Sequence, residues 1–161
     1  MAAVVAAMPV SASAACDGLV DGPRGVVASV RDGDTVVLDT GMVVRLIGTQ
    51  APKLALGREG FSAWPLADEA RLALERLVLG KPVRVRHGGA RIDRHGRTLG
   101  QVFLTDQPET WVQQQMIAAG WARVYSFPDN RACVPQLLAA ETQARLNKLG
   151  IWADPYYLVR R

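Results

Sequence analysis

The chain is poor in metal-binding side chains. In 161 residues it has two cysteines, Cys16 and Cys133, and two histidines. No further cysteine or clustered histidine accompanies the pair, so a thiolate metal site is excluded. Acids are scarce in one segment. Between Lys81 and Arg97 six basic side chains (Lys81, Arg84, Arg86, Arg91, Arg94 and Arg97) stand against a single acid, Asp93. That imbalance is the electrostatic footprint expected of a phosphate-binding stretch. No internal repeat and no linker is visible. Past Ala15 no stretch is apolar enough to span a bilayer. Met1 to Ala15 contains no Lys or Arg. It is small and apolar and ends in Ala12-Ser13-Ala14, which reads as the core and cleavage site of a secretory signal. An Ala-rich tail without a targeting role is the competing reading.

What is present describes a globular chain. An apolar fraction of 49% with 21% charged residues suits one soluble domain over 16–161, long enough to bury a core. The formal charge of +4 suits a polyanionic partner, nucleic acid or an anionic membrane. A mildly basic solvated surface would carry the same charge. In an oxidising compartment Cys16 and Cys133 can form one disulfide, tying the mature N-terminus to the last helix. Two buried thiols are the alternative. A lipid anchor on Cys16 matches poorly with the preceding Ser13-Ala14-Ala15.

Short runs of Val, Ile and Leu predict strands at 26–30, 35–39 and 42–48, broken at Asp32-Gly33 and at the hairpin signal Thr40-Gly41. Residues 50–63 hold two glycines, a proline and little periodicity, which predicts a long loop. A helix is expected over 65–79, with Pro65 in its first turn and Gly80 as its stop. Strands follow at 83–86 and 98–104, and helices at 110–119 and 133–149. Periodicity alone supports an α+β, barrel-like fold.

Three blocks carry the chemistry: Arg31-Asp32-Gly33-Asp34-Thr35, Arg45-Leu46-Ile47-Gly48-Thr49-Gln50-Ala51-Pro52, and Arg91-Ile92-Asp93-Arg94-His95-Gly96-Arg97. In isolation the first is a tight turn, for which Asp and Gly are usual. A lone arginine in a strand is ordinarily a surface ion pair. In this order and spacing the blocks resemble the staphylococcal-nuclease-like (thermonuclease) family, over about residues 24–155.

The resemblance implies a five-stranded OB-fold-like Greek-key β-barrel with three helices. It makes Arg45 and Arg97 the catalytic phosphate clamps, Asp34 a metal-liganding aspartate, and Asp32 a nearby acid. It places Arg94, His95 and Tyr125 against the nucleic acid, with Phe127 divided between base contact and core. Two positions depart from the family. Gln50 stands where a second metal-binding aspartate is expected, and Lys53 where the family carries its general base, a glutamate. A Gln carbonyl brings no negative charge to a calcium site. An ammonium cannot accept a proton at neutral pH and repels a divalent cation.

The resulting expectation is a periplasmic or secreted monomer that binds single-stranded DNA or RNA, with weakened calcium binding and weak or lost hydrolysis. One rival is an active metal-dependent nuclease with a relocated base, Glu59 or His95. Another is a non-enzymatic module using the barrel groove. Trp64, Trp111, Trp121 and Trp152 are expected to be structural.

Overall fold

The computed structural model describes residues 16–106 and 109–158. The expected export segment, 1–15, lies outside them. Three strands open the fold: β1 (Val20–Asp32), β2 (Thr35–Leu38) and β3 (Val43–Leu46). A short β4 (Gly48–Gln50) and the helix α1 (Ala67–Val78) follow. Then come β5 (Pro82–His87), β6 (Thr98–Leu104) and β7 (Thr110–Trp111). The chain finishes with α2 (Val112–Ala118), β8 (Arg123–Tyr125), α3 (Val134–Leu146) and two short 3-10 turns, Gly150–Ala153 and Pro155–Tyr157.

The sheet runs β3-β2-β1-β5-β6 and closes because β3 also pairs with β6, in parallel, with Arg45 opposite Leu99. Closure removes the exposed sheet edges. The result is the expected α+β fold, a five-stranded OB-like barrel with three helices. Val27, Val36, Leu38, Val44, Leu46, Val85 and Val102 fill the barrel, and Leu74 and Val78 of α1 pack against them. A second cluster, including Phe103, Trp111, Ile117 and Leu137, joins the barrel to α2 and α3.

Several boundaries differ from the sequence expectation. β1 begins at Val20, with Asp21 opposite Arg86 and a register shift between Asp21 and Arg24. Pro23 falls in that irregularity, where a missing N–H is tolerated. The strand expected over 42–48 is two strands. Gly48 has φ +85°, and a Cβ there would meet Leu137 Cδ1 at 2.7 Å. Only glycine suits that bend, which turns the chain out of the barrel to pair with β8. Thr110 and Trp111 are extended rather than helical. They pair with Leu104 and Phe103, and the Trp111 ring stacks on Phe103. The last helix stops at Leu146, before the left-handed Lys148. Of the four tryptophans, Trp111 and Trp152 are buried, and Trp64 and Trp121 partly so.

Cys16 and Cys133 are joined in a disulfide across 117 residues, at the start of α3. Cross-linking so long a loop restricts the unfolded chain, worth up to about 4–5 kcal/mol in the chain-entropy model. A Cys16→Ser/Cys133→Ser variant is expected to lose stability of that order. Urea denaturation measures it, and an unchanged midpoint and slope would contradict the expectation.

Candidate functional site

The Asp32-Gly33-Asp34 turn sits beneath the first residues after β4. A Cβ on Gly33 would lie 2.6 Å from the Ala51 Cβ and 3.0 Å from the Ala70 Cβ, so the turn needs glycine for its close approach to α1. This packing drives Asp34 inward until it is 1% exposed. Its Oδ1 accepts the Thr35 hydroxyl at 3.2 Å, and its Oδ2 accepts the Ala51 N–H at 2.9 Å. Two cations complete the surroundings of Oδ2: Arg45 Nη2 at 3.4 Å and Lys53 Nζ at 3.6 Å.

Burial alone would push the Asp34 carboxyl up. The Arg45 and Lys53 charges outweigh it and hold the group below the ordinary carboxylate range. Asp32 behaves oppositely. Burial, then the neighbouring Asp34 charge, pushes it up to about 6. Its Oδ1 accepts the Asp34 N–H at 3.0 Å. A raised carboxyl contributes stability that is present below its ordinary pKa and lost as pH rises towards 6. Asp32→Asn keeps an acceptor for that N–H and removes the charge. The variant is expected to melt higher than the parent at pH 7.5, with the advantage shrinking at pH 4.5. An advantage that grows in acid would contradict the assignment.

Arg45 is nearly buried. It donates from Nη1 to Leu46 O at 2.6 Å and from Nη2 to Thr49 O at 2.7 Å. Those bonds pin the guanidinium plane to the turn between β3 and β4. The sequence reading made Arg45 purely a phosphate clamp, whereas the structure gives it this second, architectural part.

A groove of about 640 Å³ opens beside this buried node. Arg45, Gln50, Lys53, Arg94, His95, Arg97, Tyr125 and Phe127 all line it. Residues separated by more than eighty positions thus line one groove. Asp34 lies behind the lining, reaching the groove only through Arg45 and Lys53. Glu59 is exposed and does not line the groove.

The far wall is the turn 91–97. Leu99 N donates to Arg91 O and Asp93 N to Arg97 O, closing a loop whose tip is Gly96 at φ +76°. Asp93 is its anchor. Its Oδ1 accepts the backbone N–H groups of His95 and Arg97 at 2.8 and 3.0 Å, and its Oδ2 accepts Arg97 Nε at 2.7 Å. Burial raises the Asp93 carboxyl, and these donors outweigh it, leaving it below the ordinary range. With Nε occupied, Arg97 retains its two Nη groups for a ligand, already oriented. Arg94 Nε lies 3.2 Å from His95 Nε2. Behind the turn, Asn130 donates to Ala90 O at 2.9 Å and Ala90 N to Asp129 O at 3.1 Å.

The third wall is the β4–β8 ribbon. Gln50 pairs with Arg123, and Gln50 Oε1 accepts both Nε, at 2.8 Å, and Nη2 of the Arg123 guanidinium. The buried Glu141 accepts the Val124 N–H and ties the ribbon to α3. Tyr125 and Phe127 stand edge to face, centroids 5.1 Å apart, each about two-fifths exposed. Phe127 is therefore on the groove surface, not in the core.

Sequence reasoning missed Arg123, which sits in a segment read only for its aromatics. It also missed Asn130, and it saw Asp93 only as the lone acid of a basic stretch. The Asp93 spacing to Arg97, four residues across a Gly-closed turn, was the available signal. Nothing local marks Arg123, whose partner is 73 residues away.

Comparison with known proteins agrees with this geometry. The family model for staphylococcal nuclease homologues matches residues 43–154. The chain belongs to the staphylococcal nuclease family. It is similar to the protein ParB of Escherichia coli, 36% identical over 143 residues, covering 83% of this chain and 74% of the relative. An uncharacterized endonuclease of Escherichia coli O157:H7 is 35% identical over 134 residues, covering 81% and 78%. A micrococcal nuclease of Shigella flexneri is 32% identical over 147 residues, covering 82% and 75%. The matched segment contains the groove residues Arg45 to Phe127 and excludes the Asp32–Asp34 turn. Staphylococcal nuclease family membership supports a nuclease or nucleic-acid-related function.

Proposed function

We propose that this chain binds single-stranded or frayed nucleic acid in the groove and that its phosphodiester hydrolysis is weak or absent. The observation that carries the reading is the state of the two substituted positions. Lys53 puts an ammonium where the family has its base, and Gln50 offers an amide oxygen already gripped by Arg123. Losing a positioned general base typically lowers a rate by roughly 10²–10⁴. The binding elements are retained. Arg94 and Arg97 present charge along one wall, and Tyr125 and Phe127 present rings on another, each able to stack a base.

Arg94 and Arg97 are the side chains to remove, since Arg45 also holds the β3–β4 turn. Each phosphate contact contributes roughly −0.7 to the log–log salt slope on a single strand. Arg94→Gln/Arg97→Gln is expected to flatten the slope by roughly 1.4. Fluorescence anisotropy over a salt series reads it, and an unchanged slope would place the phosphate track elsewhere.

An exported, monomeric domain over residues 16–161 completes the proposal. The Cys16–Cys133 disulfide supports a secreted or periplasmic location, because such bonds persist in oxidising compartments. No helix among the described residues is long and apolar enough to cross a membrane.

A further inference from the structure

Calcium takes 6–8 oxygen ligands at about 2.3–2.6 Å. The donors around Asp34 do not fit that demand. Its Oδ2 already accepts the Ala51 N–H and lies within ion-pair distance of Arg45 and Lys53. Its Oδ1 accepts the Thr35 hydroxyl. Gln50 Oε1, the other candidate donor, is committed to the Arg123 guanidinium. Among the described residues no group of three or more His, Cys, Asp or Glu is placed to hold a metal. A divalent ion on Asp34 would have to displace the Lys53 ammonium and sit beside Arg45.

The ammonium answers a different need. A buried carboxylate next to one guanidinium is a stable pair, yet here a second cation joins it, from a residue of the groove lining. The Lys53 side chain is 26% exposed, against 1% for Asp34. An ammonium has more N–H donors than the single carboxylate oxygen beside it can accept. Around the groove Arg45, Lys53, Arg94 and Arg97 oppose only Asp93 and Asp129. The excess is positive and is provided by side chains alone.

From this geometry we infer that Lys53 is the resident cation of the groove: it contacts a nucleic-acid phosphate directly, and binding needs no divalent metal. The inference rests on the proposed nucleic-acid function of the same groove. Asp34 then serves to hold Lys53 and Arg45 in place rather than to ligate an ion. Arg97, oriented by Asp93, supplies the second cation to the bound strand.

The test uses a fluorescein-labelled single-stranded DNA oligonucleotide and the full chain. Affinity is measured by anisotropy over a salt series, in excess chelator and in millimolar calcium. The parent is expected to bind equally in both. Lys53→Met, similar in length and uncharged, is expected to bind roughly tenfold more weakly, a low value for a charge-assisted contact. Its salt slope is expected to flatten by roughly 0.7. Lys53→Arg is expected to keep both. Circular dichroism confirms that each variant is folded, and the parent comparison in chelator needs no variant. Binding only with calcium would overturn the inference and leave the nucleic-acid function standing. An unaltered Lys53→Met slope would likewise overturn it. No binding under either condition would overturn the function and the inference together.

Discussion

A Gln50→Asp/Lys53→Glu variant is expected to gain calcium-dependent cleavage of single-stranded DNA, by about 10²-fold or more over the parent. The first change returns a carboxylate to the metal position. The second returns a base and withdraws the ammonium from Asp34. Neither alone is expected to suffice, since a base without a metal completes half a site. The gain should exceed the product of the two single effects, as for residues that act as a unit. The structure adds a condition. Arg123 grips position 50, and a carboxylate there would pair with it more strongly than the amide does. Adding Arg123→Gln is therefore expected to raise the activity further, by freeing that carboxylate for the ion. A gel assay of a 5′-labelled strand reads all five proteins: the parent, the two single variants, the double and the triple. A parent that cleaves briskly with calcium, and gains nothing from the changes, would show that the base lies elsewhere. His95, which lines the groove, is then the residue to substitute.

Among single substitutions at the site, the largest loss of stability is expected at Asp34. Asp34→Asn keeps the shape and an oxygen acceptor but removes the charge between Arg45 and Lys53. Lys53 can turn to solvent. Arg45, 8% exposed and pinned to Leu46 O and Thr49 O, cannot follow without breaking the β3–β4 turn. Removing one partner of a buried pair typically costs about 3–5 kcal/mol. A value near the lower end is expected, because one of the two cations can escape. The pH dependence has a definite sign. Asp34 is held below the ordinary carboxylate range, so its stabilisation is present above that range and is lost as pH falls through its lowered value. Parent and variant are thus expected to differ at neutral pH and to converge in acid. Urea denaturation at pH 7 and in acid measures this. A variant within about 1 kcal/mol of the parent at pH 7 would remove Asp34 from the centre of the site.

Much of the barrel was legible in the sequence because its strands are short apolar runs bounded by glycines. The strand expected at 35–39 and the stop at Gly80 read plainly, while the run at 42–48 read as one strand where the chain makes two. The first half of β1 did not, since Asp21 is held by ion pairs to Arg84 and Arg86 of β5 and Arg24 by backbone pairing opposite Arg84, not by apolar alternation. Thr110 and Trp111 read as helix because their pairing with β6 is a tertiary event that local preference does not encode. At the site, the family resemblance carried by the three motifs implies that Arg45, Gln50, Lys53 and Arg97 share one place, and all four line the groove. What contacts Asp34 and Gln50 was not readable. The Lys53 contact with Asp34 and the Arg123 grip on Gln50 depend on how a loop and a two-stranded ribbon fold back over 19 and 73 residues.

The central claim is that the groove holds nucleic-acid phosphate with its own cations and cuts the strand weakly or not at all. It is tested most directly by incubating the parent with 5′-labelled single-stranded DNA and RNA, in calcium and in chelator, beside Arg97→Ala prepared identically. Native and denaturing gels of the same samples read binding and strand length together. The account predicts mostly full-length strand, bound equally in calcium and chelator, with little or no shortening above the Arg97→Ala preparation. Brisk calcium-dependent shortening by the parent that is absent from Arg97→Ala would contradict it.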